Sequence, residues 1–252
     1  MPLANSAVSA SRLASRLFRI PAHAWVAVAF FSLLSGVGAG TLQAAIHTQQ
    51  TPLAEPKPFE AQYRFEMRGW PSATITHQLS QEVNHWLSDM SFSVTVARGA
   101  ERSRFIVNED SVHSLVYNSS YALFGIGDTY QLEEAEMFLP DRQAALFELS
   151  RQAGNAGCVV TSPCEINYLD HRGREEQFAY YLVQRGPISL PAGEFDALTV
   201  ALVDAEKPDR QLQLSFHPGF PGLVLSADYR REGRRETKLS LTHFQPQGGA
   251  TP

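Results

Sequence analysis

At 252 residues with 21 basic and 26 acidic side chains, the chain has a formal net charge of −5, and 44% of it is hydrophobic. That length supports one domain with a sizeable core. The sign of the charge argues against a protein held to nucleic acid by phosphate neutralisation.

The first 44 residues carry Arg12, Arg16 and Arg19 and no acidic group, which leaves 18 basic and 26 acidic side chains in the remainder. An apolar run, AWVAVAFFSLL from Ala24 to Leu34, follows these arginines, and the small-residue stretch SGVGAG follows the run. A positive start, a short apolar core and small residues at the cut is the order of a secretory signal peptide. The run is shorter than the roughly 20 apolar residues of a comfortable membrane span. Small residues permit cleavage after Ala39 or Ala44; the alternative is an uncleaved anchor over residues 21–45. No cysteine lies near the cut, so a lipid anchor on an N-terminal cysteine is excluded. Both alternatives place the remainder in a Gram-negative envelope, in the periplasm or anchored to the inner membrane. Residues 45–58 are polar and proline-containing and read as a flexible leader.

Strand periodicity begins at Phe59, with Phe59, Ala61, Tyr63, Phe65 and Met67 on one face. Arg68-Gly69-Trp70-Pro71 breaks it, and further strands are expected over 72–83 and 86–96. Arg98-Gly99-Ala100-Glu101 reads as a turn before a strand from Ser103. From Val112 to Tyr130 the pattern loosens into two short strands, or one strand and an aromatic loop, and 131–138 reads as strand. Residues 142–151, RQAALFELSR, form the one convincing helix. Cys158 and Cys164 flank VVTSP, and in an oxidising compartment such a pair is most simply a disulfide that fixes a local turn. Beyond Glu165, Leu198, Val200 and Leu202, then Leu212, Leu214 and Phe216, then Leu223, Leu225, Ala227 and Tyr229 alternate with polar residues. Turns are expected at Pro191-Ala192-Gly193, Lys207-Pro208-Asp209 and Arg231-Glu232-Gly233-Arg234.

These signals predict a mainly β chain, one domain over residues 59–246 with a tail at 247–252. About ten antiparallel strands joined by short links favour an up-and-down or half-open barrel over a sandwich. Glu60, Arg64 and Glu66 face away from the apolar side of the first strand, which suits water rather than lipid and argues against an integral membrane barrel.

Several stretches carry a family resemblance. They are Tyr63-Arg64-Phe65-Glu66 with Gly69, Asp170-His171-Arg172-Gly173-Arg174, and Leu190-Pro191-Ala192-Gly193-Glu194-Phe195-Asp196-Ala197-Leu198-Thr199-Val200. The closing segments Leu223–Tyr229 and Lys238–Phe244 around Gly233 complete the set. Together they resemble the exported bacterial family of unknown function with the serial three-one-zero-eight, across most of residues 59–244. The chain departs from that family's pattern in the middle, where a longer helix introduced by a Leu-Asp-Pro type motif is usual. The resemblance implies an exported β-rich domain, an open or closed barrel, and no activity.

The residues that could carry chemistry are scattered. His47, His77, His85, His113, His171, His217 and His243 make no HxH, HxxxH or HExxH pattern, so no metal and no cofactor is expected. No GxSxG elbow occurs, and Asp170-His171 reads as part of a turn, so no catalytic residue is assigned. The carboxylate runs Glu133-Glu134-Ala135-Glu136 and Glu175-Glu176 read as solvated strand faces. Two groups remain as candidates. Trp70, Tyr117, Tyr121, Phe124 and Tyr130 would suit an apolar ligand such as an acyl chain if their rings line a barrel mouth, and are otherwise core and rim aromatics. Arg230, Arg231, Arg234 and Arg235 on one hairpin could hold an anion or an acidic partner, or pair with the interleaved Glu232 and Glu236.

The expected function is therefore non-enzymatic: an envelope protein that binds a hydrophobic or lipid-like ligand, or a protein partner, in the barrel. A periplasmic hydrolase of envelope glycan or lipid is the first alternative, and it requires a histidine with a serine or carboxylate in one cleft. A scaffold subunit of an envelope complex is the second, and it requires an exposed apolar patch or an unpaired edge strand.

Overall fold

The computed structural model describes residues 53–155, 157–204, 207 and 209–248. The signal-peptide or anchor segment and most of the tail lie outside the described residues. Twelve strands make one antiparallel sheet: β1 (Phe59–Met67), β2 (Ala73–Glu82), β3 (His85–Val94), β4 (Ala97–Val107), β5 (Val112–Leu123), β6 (Ile126–Glu133), β7 (Cys164–Leu169), β8 (Glu175–Leu190), β9 (Gly193–Val203), β10 (Arg210–Phe216), β11 (Val224–Arg231) and β12 (Arg234–Pro246). Short links force each strand to add beside the last, so the sheet grows as two six-stranded meanders. They join where β1 pairs β12, and the lateral order is β6-β5-β4-β3-β2-β1-β12-β11-β10-β9-β8-β7. The sheet is not closed: β6 and β7 are its two edges. This is the half-open form of the expected barrel, with twelve strands rather than about ten.

The one α-helix among the described residues, α1 (Arg142–Gln152), lies in the connection between those edges. Asp141 starts it by accepting from the backbone N–H of Gln143 and Ala144, a cap that satisfies two otherwise orphaned donors. The helix packs into the concave face of the sheet at one end. The rings of Phe147 and Phe105 sit 5.1 Å apart, and Ser150 Oγ accepts from the N–H of Gly222 at 2.6 Å. Gly222 has φ +85, and a Cβ there would stand 2.9 Å from Phe147 Cδ2. Only glycine lets the β10–β11 link pass this close to the helix.

Two expectations are corrected, and of the two alternatives for 112–130 the two-strand one is found. Arg98-Gly99-Ala100-Glu101 is not a turn but the start of β4; Gly99 is there because a Cβ would fall 2.4 Å from the Phe92 ring of the neighbouring strand. The loosened stretch 112–130 is mostly one long hairpin, β5 with β6, reversed at Phe124 (φ 52) and Gly125 (φ 81). Positive φ at both central residues gives the tight reversal that fits strand twist. Strand 131–138 stops at Glu133, where Glu133 and Glu136 form a reciprocal cap on the 3-10 turn Glu134–Glu136. Cys158 and Cys164 are bonded, with Cα atoms 5.1 Å apart, and the Cys158 carbonyl accepts from Leu182 N of β8. Among the described residues no helix is long and apolar enough to cross a membrane.

Candidate functional site

Burial along the concave face changes in step from strand to strand. On β1, Phe59, Ala61 and Tyr63 are buried while Phe65 and Met67 are only half-buried. On β2, His77 and Leu79 give way to Ile75; on β3, Trp86 and Ser88 give way to Met90 and Phe92. On β10 to β12, Leu214, Leu225 and Leu241 are buried while Leu212, Tyr229 and Leu239 are half-buried. Cross-strand register pairs several of the partly open positions with one another, Phe65 with Leu239, Ile75 with Phe92 and Tyr229 with Leu212, while between β1 and β2 the half-buried Ile75 faces the buried Tyr63. The physical cause is the length of α1. Its eleven residues span about 16 Å at 1.5 Å each, enough to fill one end of the concavity and not the other. The end left half-covered is called the mouth.

A polar layer forms the floor between helix and mouth. Arg142, the first helical residue, donates from Nε to Glu101 Oε2 and to Tyr117 Oη, both at 2.9 Å, and Tyr117 Oη donates to Glu101 at 3.1 Å. Burial lowers the Arg142 guanidinium to about 10. Asp141 lies one residue away, fully buried, and Oδ2 accepts from Ser103 and Ser114 at 2.6 Å each. Asp170, 1% exposed, accepts from the N–H of Arg172 and Arg174 and from the Arg174 guanidinium, which fixes the β7–β8 turn. That turn docks on β6: His171 meets the Tyr130 ring edge-on at 5.1 Å, and Arg172 lies 5.3 Å over the same ring. Burial, then Arg142, holds His171 down at about 4, so it stays neutral here.

The aromatic candidates divide by depth. Tyr117 is fully buried in the floor, Tyr121 is half-buried on the mouth wall with Oη donating to Asp128 at 2.6 Å, and Tyr130 is covered by the β7–β8 turn. Phe124 and Trp70 sit on the β5–β6 and β1–β2 turns at the mouth end of their strands, 72% and 38% exposed. Of the four arginines, Arg230 and Arg235 both pair with Asp228 and Arg231 pairs with Asp209. Glu236 pairs instead with Arg68, so the hairpin arginines are neutralised by Asp228 of β11 itself and by Asp209 of the β9–β10 link rather than by the interleaved glutamates. Arg234 makes no ion pair among the described residues. The gradient along each strand escaped the sequence because alternation marks the inward face and is silent about what covers it.

Among the described residues one buried histidine–serine pair is hydrogen-bonded. His77 Nε2 and Ser88 Oγ are 3.0 Å apart, and Ser88 donates its proton to Gln143 Oε1 at 2.5 Å. His77 Nε2 therefore supplies a proton to Ser88 instead of removing one. The group faces a void of about 10 Å³, with no room for a substrate. It is a strut that ties β2 and β3 to α1.

No family model and no curated protein matches the chain. Among solved structures, it is similar to a β-barrel-like protein of a domain of unknown function from Brucella abortus, at 8% identity and TM-score 0.49, covering 77% of this chain and all of that one. An exported protein with a YmcC-like fold from Bacteroides fragilis aligns over 77% of this chain and all of its own, at 7% identity and TM-score 0.35. The Pseudomonas aeruginosa MucA/MucB complex aligns over 78% of this chain and 53% of the matched chain, at 13% identity and TM-score 0.38. These likenesses carry no activity, ligand or partner over to this chain.

Proposed function

We propose that this protein is an exported, non-enzymatic binding protein of the cell envelope that receives an apolar ligand in the open end of its half-barrel. The observation that carries the reading is the two-level interior: the helix covers one end of an apolar concave face and leaves Phe65, Ile75, Met90, Phe92 and Leu239 half-buried at the other. Half-covered apolar side chains in a concavity above a polar floor are what an apolar ligand site needs. The amino-terminal pattern and the disulfide support export.

The test is a titration with the neutral, polarity-sensitive dye N-phenyl-1-naphthylamine. Saturable binding with blue-shifted emission is expected, and Phe92→Asp weakens it at least tenfold by placing a charge on the mouth wall. Absence of saturable binding, or equal binding by Phe92→Asp, would remove the reading.

A further inference from the structure

The two edges of the sheet are finished differently. β7 is short, follows Pro163, and is flanked by the disulfide loop; Leu169 makes a parallel bridge with Asp141, and Ile166, Tyr168 and Leu169 are buried. Among the described residues, β6 has no strand on its outer side, and Ile126, Gly127, Asp128 and Thr129 are exposed. It has no proline, no lysine and no bulge in its register with β5; its one mid-strand charge is Asp128, and the β7–β8 turn meets it at the Tyr130 ring. The closing pair of a two-residue hairpin, Leu123 with Ile126, exchanges hydrogen bonds, and bonding then alternates along the ladder. The N–H and C=O groups of Gly127, Thr129 and Gln131 therefore point away from β5, into the open edge.

We propose that β6 takes an extended peptide by strand addition, antiparallel like the rest of the sheet. Its alternate apolar side chains continue the concave wall beyond Ile126 and enter the mouth. This deepens the apolar-ligand reading and rests on it, by naming the ligand class as a polypeptide segment. A lipid does not offer a backbone to the three unpaired donor–acceptor positions, whereas a strand satisfies all of them. Charge selects the segment. Glu133, Glu134 and Glu136 stand exposed at the far end of β6, and His113, on Glu134, is their one ion-pair partner among the described residues. In an antiparallel arrangement that end receives the amino terminus of the peptide, so the fitting segment is basic first and alternately apolar after.

The probe is a labelled decapeptide, two lysines followed by four valine–threonine repeats, read by fluorescence anisotropy. Its counterpart N-methylated at alternate residues and a version beginning with two glutamates serve as comparisons. Saturable binding is expected, at least tenfold weaker for the methylated peptide and severalfold weaker for the acidic one. Thr129→Pro, which deletes an edge N–H without breaking a bond to β5, and Thr129→Lys, which guards the edge, each lower affinity at least tenfold at unchanged near-UV circular dichroism. Should Thr129→Pro misfold, Thr129→Lys and the methylated peptide still decide. Equal binding of the methylated peptide overturns the proposal. So does wild-type protein that binds the dye and not the peptide, which leaves the mouth reading standing with a lipid-like ligand; binding of neither removes both. A dimer in sedimentation that Thr129→Lys disperses assigns the edge to a second copy of the chain and likewise overturns it.

Discussion

Asp141 shows how much one buried carboxylate can organise. It begins the helix, ties it to β4 and β5 through Ser103 and Ser114, and bridges to β7 through Leu169. Asp141→Ala leaves two hydroxyls and two helix N–H groups without an acceptor, and a loss of about 3 kcal/mol or more in urea unfolding is expected. Asp141→Asn, which keeps an acceptor oxygen, should lose less. His77 and Glu176 set opposite pH dependences. Burial lowers His77 to about 4 in the folded protein, so the unfolded chain binds the extra proton. Its contribution is full above the unfolded value near 6.5 and is lost as pH falls toward 4, by about 3 kcal/mol at most. Glu176 is raised to about 7 by burial and then by Asp170, so the folded state holds the proton and stability falls as pH rises from 4.5 through 7. Unfolding midpoints across pH 4 to 8 should show His77→Gln flattening the acid limb and Glu176→Gln the limb approaching neutrality. The same slopes in wild type and variants would contradict both assignments. None of this was legible in the sequence, where His77 and Asp141 look like any other strand histidine and turn aspartate; their roles come from neighbours far along the chain.

Strands and the helix were far more legible than their joints. Period-two alternation marked β1, β9, β10 and β11 directly, and the inward face is the one that alternation selects. One misreading falls on Gly99, which reads as part of a turn, and another on the end of β6, which stops at Glu133 rather than running to 138. Gly99 in its strand and Gly222 in the β10–β11 turn are each required by a close ring, Phe92 for one and Phe147 for the other. The second case yields a sharp expectation. Gly222→Ala must hold φ near +85 and displace the Phe147 ring, so a destabilisation of about 2 kcal/mol is expected in urea unfolding. A change within 0.5 kcal/mol would show that the helix has slack against the β10–β11 link. In the β5–β6 hairpin, Phe124 occupies a positive-φ position where asparagine or glycine is usual, and that hid the reversal from a turn-residue search.

For the whole molecule, topology explains why one end of the inward face is left half-covered. First and last strands pair at the centre of the sheet, which leaves both free edges to flank the one long connection, and the helix in that connection is the natural plug of the concavity. An eleven-residue plug in a sheet whose strands run to sixteen residues leaves one end half-covered. The barrel class was readable from the meander, and the rim aromatics Trp70 and Phe124 were named from composition. The open end itself follows from the length of the helix relative to the strands, which no local pattern encodes. Hydrogen exchange by mass spectrometry, with and without saturating N-phenyl-1-naphthylamine, tests the location of the site most directly. The account predicts slowed exchange in the mouth halves of β1, β3 and β5 and unchanged exchange in α1 and the β10–β11 link. Slowing at the helix end or on the convex face, with the mouth strands unchanged, would contradict it.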